Sequence, residues 1–167
     1  MKIESPHNDN FKIAIIGLGY VGLPLAIEFE KYFDTTGYDI NKKRINELKK
    51  EVDKTLEIVK PDLLKSRIKF SNNESDLKSN NVYIITVPTP VNKFKKPDFY
   101  FVEEACKLVG KYIVKGDIII YESTVYPGAT REICIPILEE ISKLKLNIDF
   151  GVGYSPERIN PGDKNHT

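Results

Sequence analysis

The sequence predicts an α/β architecture: one domain built on a doubly wound, parallel sheet. Three observations carry that prediction. Short apolar runs of strand character alternate with helical patterns over most of the 167 residues, as in successive β-α-β units. The first such run, Phe11 to Ile16, breaks directly into a turn carrying Gly17, Gly19 and Gly22. The polar residues that could carry chemistry all follow the carboxyl ends of predicted strands, where open α/β sheets bind ligands. Together these define a Rossmann-type sheet with right-handed crossovers.

Each element has its own signal. After the first strand, Val21, Leu25 and Phe29 recur at helical spacing, with Glu28, Glu30 and Lys31 in the polar gaps. Pro24 sits near that helix start, where a missing N–H does least harm. A second strand ends at Asp39, and Asn41 to Lys50 reads as a polar helix with Ile45 and Leu48 turned inward. Between Glu51 and Leu77, the apolar Leu56, Ile58, Leu63 and Leu64 predict one or two short helices around Pro61, and Ile68-Lys69-Phe70 a short strand. Val82 to Val87 is a continuous apolar run, expected of a parallel strand covered on both faces. Pro88-Thr89-Pro90 ends it, and a lysine-rich loop from Asn92 to Pro97 leads to a helix from about Phe99 to Val114. Asp117 to Tyr121 is the next buried strand, delivering Glu122-Ser123-Thr124 to a loop. A helix from about Ala129 to Leu144 and a last strand, Asn147 to Gly151, complete the alternation. There are no repeats and no low-complexity segments.

Glycines at this spacing also punctuate ordinary loops, so context decides. Here a strand precedes the turn, a helix follows, and an acidic residue, Asp39, closes the next strand. That order is the dinucleotide-binding fingerprint. Gly17 permits the tight turn, Gly19 lets backbone approach a pyrophosphate, and Gly22 lets the helix lie close on the sheet. The helix start offers unpaired N–H groups and a positive dipole end to phosphates. Asp39 can accept hydrogen bonds from the 2′- and 3′-hydroxyls of a ribose and would repel a 2′-phosphate, which favours NAD over NADP. It would also suit a strand end, or a cap for the helix after Asn41.

Composition bounds the rest. With 41% hydrophobic and 29% charged residues the chain reads as a soluble globular domain long enough to bury a core. A formal charge of +1 argues against a nucleic-acid or membrane surface, and no apolar stretch approaches a membrane span. Residues 1–10 read as a loose polar leader without the apolar centre of a signal peptide, so a cytoplasmic location is expected. Cys106 and Cys134 lie in apolar helical patterns and are expected to pack as small hydrophobes rather than form a disulfide or catalyse. Two histidines at opposite ends give no metal constellation.

Four segments in order carry a more specific signal: Ile15-Ile16-Gly17-Leu18-Gly19-Tyr20-Val21-Gly22-Leu23-Pro24, Val87-Pro88-Thr89-Pro90, Glu122-Ser123-Thr124-Val125-Tyr126-Pro127-Gly128, and Tyr154-Ser155-Pro156-Glu157-Arg158. They resemble the N-terminal domain of UDP-glucose/GDP-mannose dehydrogenases, and the continuation Ile159-Asn160-Pro161-Gly162-Asp163-Lys164 resembles the branch acting on UDP-N-acetylhexosamines for capsule or O-antigen synthesis. The resemblance implies oxidation of a sugar C6 alcohol to a carboxylate with two NAD+, by way of a cysteine thiohemiacetal and thioester. Carried onto this chain, it implies that Gly17, Gly19, Tyr20, Val21 and Gly22 line the pyrophosphate and that Asp39 and Arg44 hold the adenosine ribose side. It places Thr89 and Thr124 near the cofactor and active site, Glu157 beside the water that hydrolyses the thioester, and Arg158 close to the substrate. By their own chemistry, Arg44 would equally suit a solvated helix surface, Thr124 a strand end, and Glu157 a helix start.

The same resemblance divides the chain into a leader (1–10), an NAD-binding domain (11–155) and the start of a connection to a second domain (156–167). Family members continue through a dimerisation helix into a domain holding most of the UDP-sugar site, the nucleophilic cysteine and a catalytic lysine. This chain is therefore expected to bind NAD but not to turn over a nucleotide sugar alone, the full-length protein being a homodimer. The alternatives are another NAD-dependent dehydrogenase, of the 6-phosphogluconate or hydroxyacid type, and a non-catalytic nucleotide-binding module.

Overall fold

A computed structural model describes residues 11–58, 60–91, 97–123, 125–126 and 128–155. The leader, the segment 92–96 of the lysine-rich loop and the connection from residue 156 onward lie outside them. The strands are β1 (Lys12–Ile16), β2 (Asp34–Tyr38), β3 (Lys69–Ser71), β4 (Val82–Ile85), β5 (Ile118–Tyr121) and β6 (Gly151–Tyr154). The helices are α1 (Gly22–Phe29), α2 (Lys42–Leu48), α3 (Lys60–Lys65), α4 (Tyr100–Gly110) and α5 (Ile135–Ser142). The strands form one sheet in the order β3-β2-β1-β4-β5-β6, parallel at every pairing. Strand order reverses beside β1, so the connections from β1 and β4 leave in opposite directions and a crevice opens between them.

Strand pleating divides the core in two, because successive side chains point to opposite faces. Ala14, Ile16, Tyr83, Ile85, Ile119 and Tyr121 enter one cluster with Val102, Cys106 and Val109 of α4 and Leu138 of α5. Ile13, Ile15, Val82 and Ile84 enter the other with Leu23, Ala26 and Ile27 of α1 and Ile45 and Leu48 of α2. This two-faced burial explains why β1 and β4 read as unbroken apolar runs.

Two local expectations are corrected and one is refined. Leu25 and Phe29 of the helical row are half-buried against one cluster, while α1 buries Gly22, Leu23, Ala26 and Ile27 more fully. The close seat of Gly22 on the β1 turn sets the rotation of the helix and turns that face inward. The last helix is interrupted: Thr130–Cys134 is a π-helical turn, and α5 proper begins at Ile135 with Pro136 in its first turn. Pro136 has no N–H to give the preceding turn, which winds wider. The last strand is Gly151–Tyr154, not Asn147 to Gly151. Asn147 has φ +61°, and Asp149 accepts the Lys145 N–H at 3.0 Å, so the segment closes as a turn and leaves Ile148 74% exposed.

Cys106 and Cys134 are buried and free, and although remote in sequence they meet. Cys106 Sγ lies 3.1 Å from Tyr121 Oη. The contact with Cys134, together with burial, pushes the Cys106 thiol up, away from thiolate chemistry.

Asp117, just before β5, is buried and accepts the Val114 N–H at 2.8 Å. Burial raises its carboxyl above the ordinary carboxylate value, and the Val114 bond only partly offsets this. A raised folded-state value means that the ionised group opposes folding at neutral pH, and that the opposition is relieved as pH falls through that value. Asp117→Asn keeps the acceptor for Val114 and removes the charge. It is expected to raise the melting temperature at pH 7 by about 2–4 °C, roughly 1 kcal/mol for a domain of this size. Thermal denaturation at pH 7 and near pH 4 checks this, since the gain must shrink on acidification.

Candidate functional site

At the β1/β4 crevice lies a groove of ≈ 660 Å³. Its floor is the glycine turn from Gly17 to Val21, and one wall carries Tyr38, Asp39 and Ile40 from the end of β2. The other wall is Thr86 to Thr89 after β4, the Tyr100, Phe101, Glu104 and Leu108 side of α4, and Glu122 and Ser123 after β5. Glu74 and Lys111, which also line it, form an ion pair at 3.1 Å. Segments far apart in sequence, from Gly17 to Ser123, thus converge on one space because parallel strands all end on the same side.

The three glycines of the turn do different work. Gly17 has φ +99°, a conformation that side-chain-bearing residues rarely adopt, and its N–H bonds the Tyr38 carbonyl at 2.8 Å. A Cβ on Gly22 would stand 1.8 Å from the Gly17 carbonyl oxygen and 2.4 Å from Thr86 Oγ1. Gly22 does not line the groove; its smallness is what seats α1. A Cβ on Gly19 would meet nothing within 4 Å: the space above it is open groove. No backbone hydrogen bond among the described residues uses the Gly19 N–H.

Asp39 reaches back under the turn. Its Oδ2 accepts the Leu18 N–H at 2.9 Å and its Oδ1 the Asn41 N–H at 2.8 Å. Each oxygen retains a lone pair for a second donor, so the carboxylate both organises the turn and faces the groove. Asn41, not Asp39, caps α2, its Oδ1 accepting from Lys43 and Arg44.

Arg44 is not a solvated helix residue. It is 8% exposed, lies outside the groove lining, and donates from Nε to the Leu18 carbonyl at 2.8 Å. Its NH1 donates to Asp53 Oδ1 at 2.8 Å. Asp53 also accepts from the Thr55 N–H and hydroxyl and from the Glu57 and Ile58 N–H groups. Burial pushes the Asp53 carboxyl up, but the bonds from Thr55, Ile58 and Arg44 together outweigh it and hold the group below the ordinary carboxylate value. Asp53 was invisible to motif reading because it is an unremarkable acid in a polar stretch. Thr86 was likewise missed as a site residue: its hydroxyl lies 2.7 Å from the Gly17 carbonyl and ties the β4 end to the turn. A polar residue closing an apolar strand was the available signal.

The expected Tyr20, Val21 and Thr89 line the groove with Gly17, Gly19 and Asp39. Thr124, Glu157 and Arg158 lie outside the described residues. Among the described residues no group of three or more His, Cys, Asp or Glu could hold a metal ion, and no helix is long and apolar enough to cross a membrane.

The residues fit a dinucleotide. The groove is of cofactor size, its floor is uncluttered backbone at Gly19, an amide without a backbone acceptor lies there, and a carboxylate flanks it at the distance of one strand. Comparison with known proteins agrees. Residues 11–167 match the sequence profile of the UDP-glucose/GDP-mannose dehydrogenase family, NAD binding domain. The chain is 56% identical over 159 residues to a UDP-N-acetyl-D-glucosamine 6-dehydrogenase of Salmonella typhi, covering 95% of this chain and 37% of that protein. It is 54% identical over 158 residues to the Pseudomonas aeruginosa protein of the same name, covering 94% and 37% respectively. Its fold matches the solved UDP-D-ManNAc dehydrogenase of Pyrococcus horikoshii with a TM-score of 0.82 at 35% identity, over 91% of this chain and 37% of that one. The chain thus spans a little over a third of the length of these relatives. It belongs to the UDP-glucose/GDP-mannose dehydrogenase family and is that family's Rossmann-type NAD-binding domain.

Proposed function

We propose that the chain is the NAD-binding part of a nucleotide-sugar 6-dehydrogenase that oxidises the C6 alcohol of a UDP-N-acetylhexosamine, or of UDP-glucose, to the uronate with two NAD+. The observation that carries this reading is the identity above one half with two UDP-N-acetyl-D-glucosamine 6-dehydrogenases, over nearly the whole chain. Bound NAD+ supplies the hydride acceptor. The chain's own residues bind and orient it: Gly17, Gly19, Tyr20 and Val21 beneath the diphosphate, Gly22 by seating α1, Asp39 at the adenosine ribose, and Thr89 from the opposite wall. Arg44 serves the same end from behind the turn. Thr124 near the active site, Glu157 toward the hydrolytic water and Arg158 toward the sugar keep the roles that their motifs imply. A capsule or O-antigen product, a cytoplasmic location and a homodimer completed by a substrate domain belong to the same reading.

The test is to give the full-length protein UDP-GlcNAc, UDP-GalNAc and UDP-glucose with NAD+ or NADP+ and to follow NADH and uronate. Two NADH per sugar are expected with NAD+, and none from the 167-residue chain alone. Oxidation of 6-phosphogluconate or a hydroxyacid in preference to every UDP-sugar would sink the reading, as would turnover by the short chain.

A further inference from the structure

We infer that Asp53 is a positioning residue for the coenzyme: by holding the Arg44 guanidinium it fixes the Leu18–Gly19 peptide and aims the Gly19 N–H at the diphosphate. The inference rests on the NAD reading of the groove. Both backbone polar groups of Leu18, one in each of two successive peptide planes, are held by side chains. The Leu18 N–H is taken by Asp39 Oδ2 at 2.9 Å and the Leu18 carbonyl by Arg44 Nε at 2.8 Å. In a planar trans peptide the carbonyl and the following N–H point opposite ways. A Leu18 carbonyl drawn back to Arg44, which does not line the groove, therefore turns the Gly19 N–H to the groove side. That amide has no backbone acceptor among the described residues, and no atom stands where its Cβ would be.

Arg44 cannot hold this pose alone. Its side chain is buried, so a solvent shell cannot balance its charge, and an unpaired guanidinium there would be driven out. Asp53, whose side chain is fully buried, supplies the counter-charge at 2.8 Å. Asp53 is itself fixed by the N–H groups of Thr55, Glu57 and Ile58, which wrap the following loop around its carboxylate. The line of restraint runs from that loop through Asp53 and Arg44 to Leu18, and ends at the diphosphate amide. Planarity is what lets Arg44 bridge the two ends. Its Nε and NH1 lie in one rigid plane and serve two acceptors at once, which a lysine ammonium on a flexible stem does not reproduce.

The experiment compares three ligands on the 167-residue chain: NAD+, ADP and adenosine, by calorimetry for the first two and ligand-observed NMR for the third. Asp53→Asn preserves shape and removes the charge. It is expected to weaken NAD+ and ADP by about tenfold, the loss of one well-aimed bond to a charged group, and to leave adenosine within about twofold. Arg44→Lys is expected to give the same pattern, and the double variant to be no worse than either single one, since both break the same line. If Asp53→Asn does not fold, Arg44→Lys carries the test by itself. Unchanged NAD+ affinity in a folded variant overturns the inference. So does equal weakening of adenosine, which would mean direct ribose contact by Arg44 or a general loss of structure. A parent chain that binds neither NAD+ nor ADP overturns the coenzyme reading itself, and this inference with it.

Discussion

Gly22→Ala is expected to abolish NAD+ binding and to destabilise the chain by roughly 3 kcal/mol or more, at the upper end of overpacking penalties. The added methyl would stand 1.8 Å from the Gly17 carbonyl oxygen, which is backbone and has no rotamer to escape into. Gly17 cannot turn aside either, because its φ of +99° and its bond to the Tyr38 carbonyl fix the turn. The remaining response is for α1 to lift from the sheet. That exposes Leu23 and Ala26, which are fully buried, and breaks up the amides at the floor of the groove. Thermal denaturation should show a fall on the order of 10 °C at 2–4 °C per kcal/mol. Gly19→Ala is the control: its methyl meets no protein atom, so stability should stay within about 0.5 kcal/mol while NAD+ affinity is lost to a blocked groove. A Gly22→Ala protein that melts with the parent, or a Gly19→Ala protein that binds as well as the parent, would contradict this division of labour.

Asp39→Ala is expected to weaken NAD+ about 100-fold, two ribose hydroxyl bonds to a charged acceptor at about 1.5 kcal/mol each. The discrimination against NADP+ should shrink at the same time, because the carboxylate that would repel a 2′-phosphate is gone. The variant also strips an acceptor from the Leu18 and Asn41 N–H groups, so a modest loss of stability accompanies the loss of affinity. Calorimetric titration of parent and variant with both coenzymes separates the two effects, since only the ribose role changes the NAD+/NADP+ ratio. A parent that binds NADP+ as tightly as NAD+, or a variant that keeps its NAD+ affinity, would be fatal to the ribose assignment.

The parallel sheet was legible because its strands are covered on both faces. Val82 to Ile85 and Ile13 to Ile16 read as strands because successive residues must satisfy opposite apolar layers. The glycine turn was legible because tight turns and close approaches exclude side chains, which leaves an imprint at fixed spacing. Boundaries were less legible. The strand expected at Asn147 to Gly151 failed because the Asp149 carboxylate within it takes the Lys145 N–H and closes a turn, and apolar spacing does not register such a bond. The row Val21, Leu25 and Phe29 marked α1 as a helix, but spacing did not show that Gly22, Leu23, Ala26 and Ile27 form its most buried side, with Gly22 in close contact with the Gly17 backbone.

By itself the sequence determined the fold class, the glycine turn after β1 and the acidic residue that flanks it, all of which rest on local spacing and on residue types with few substitutes. Only the tertiary structure decided that Arg44 faces inward, that Asp53 is its counter-charge and that Thr86 ties β4 to the turn. Those are contacts between segments 9 to 69 residues apart, among residue types common on any surface. A buried ion pair and a solvated one have the same letters; burial by the rest of the chain is what makes the difference.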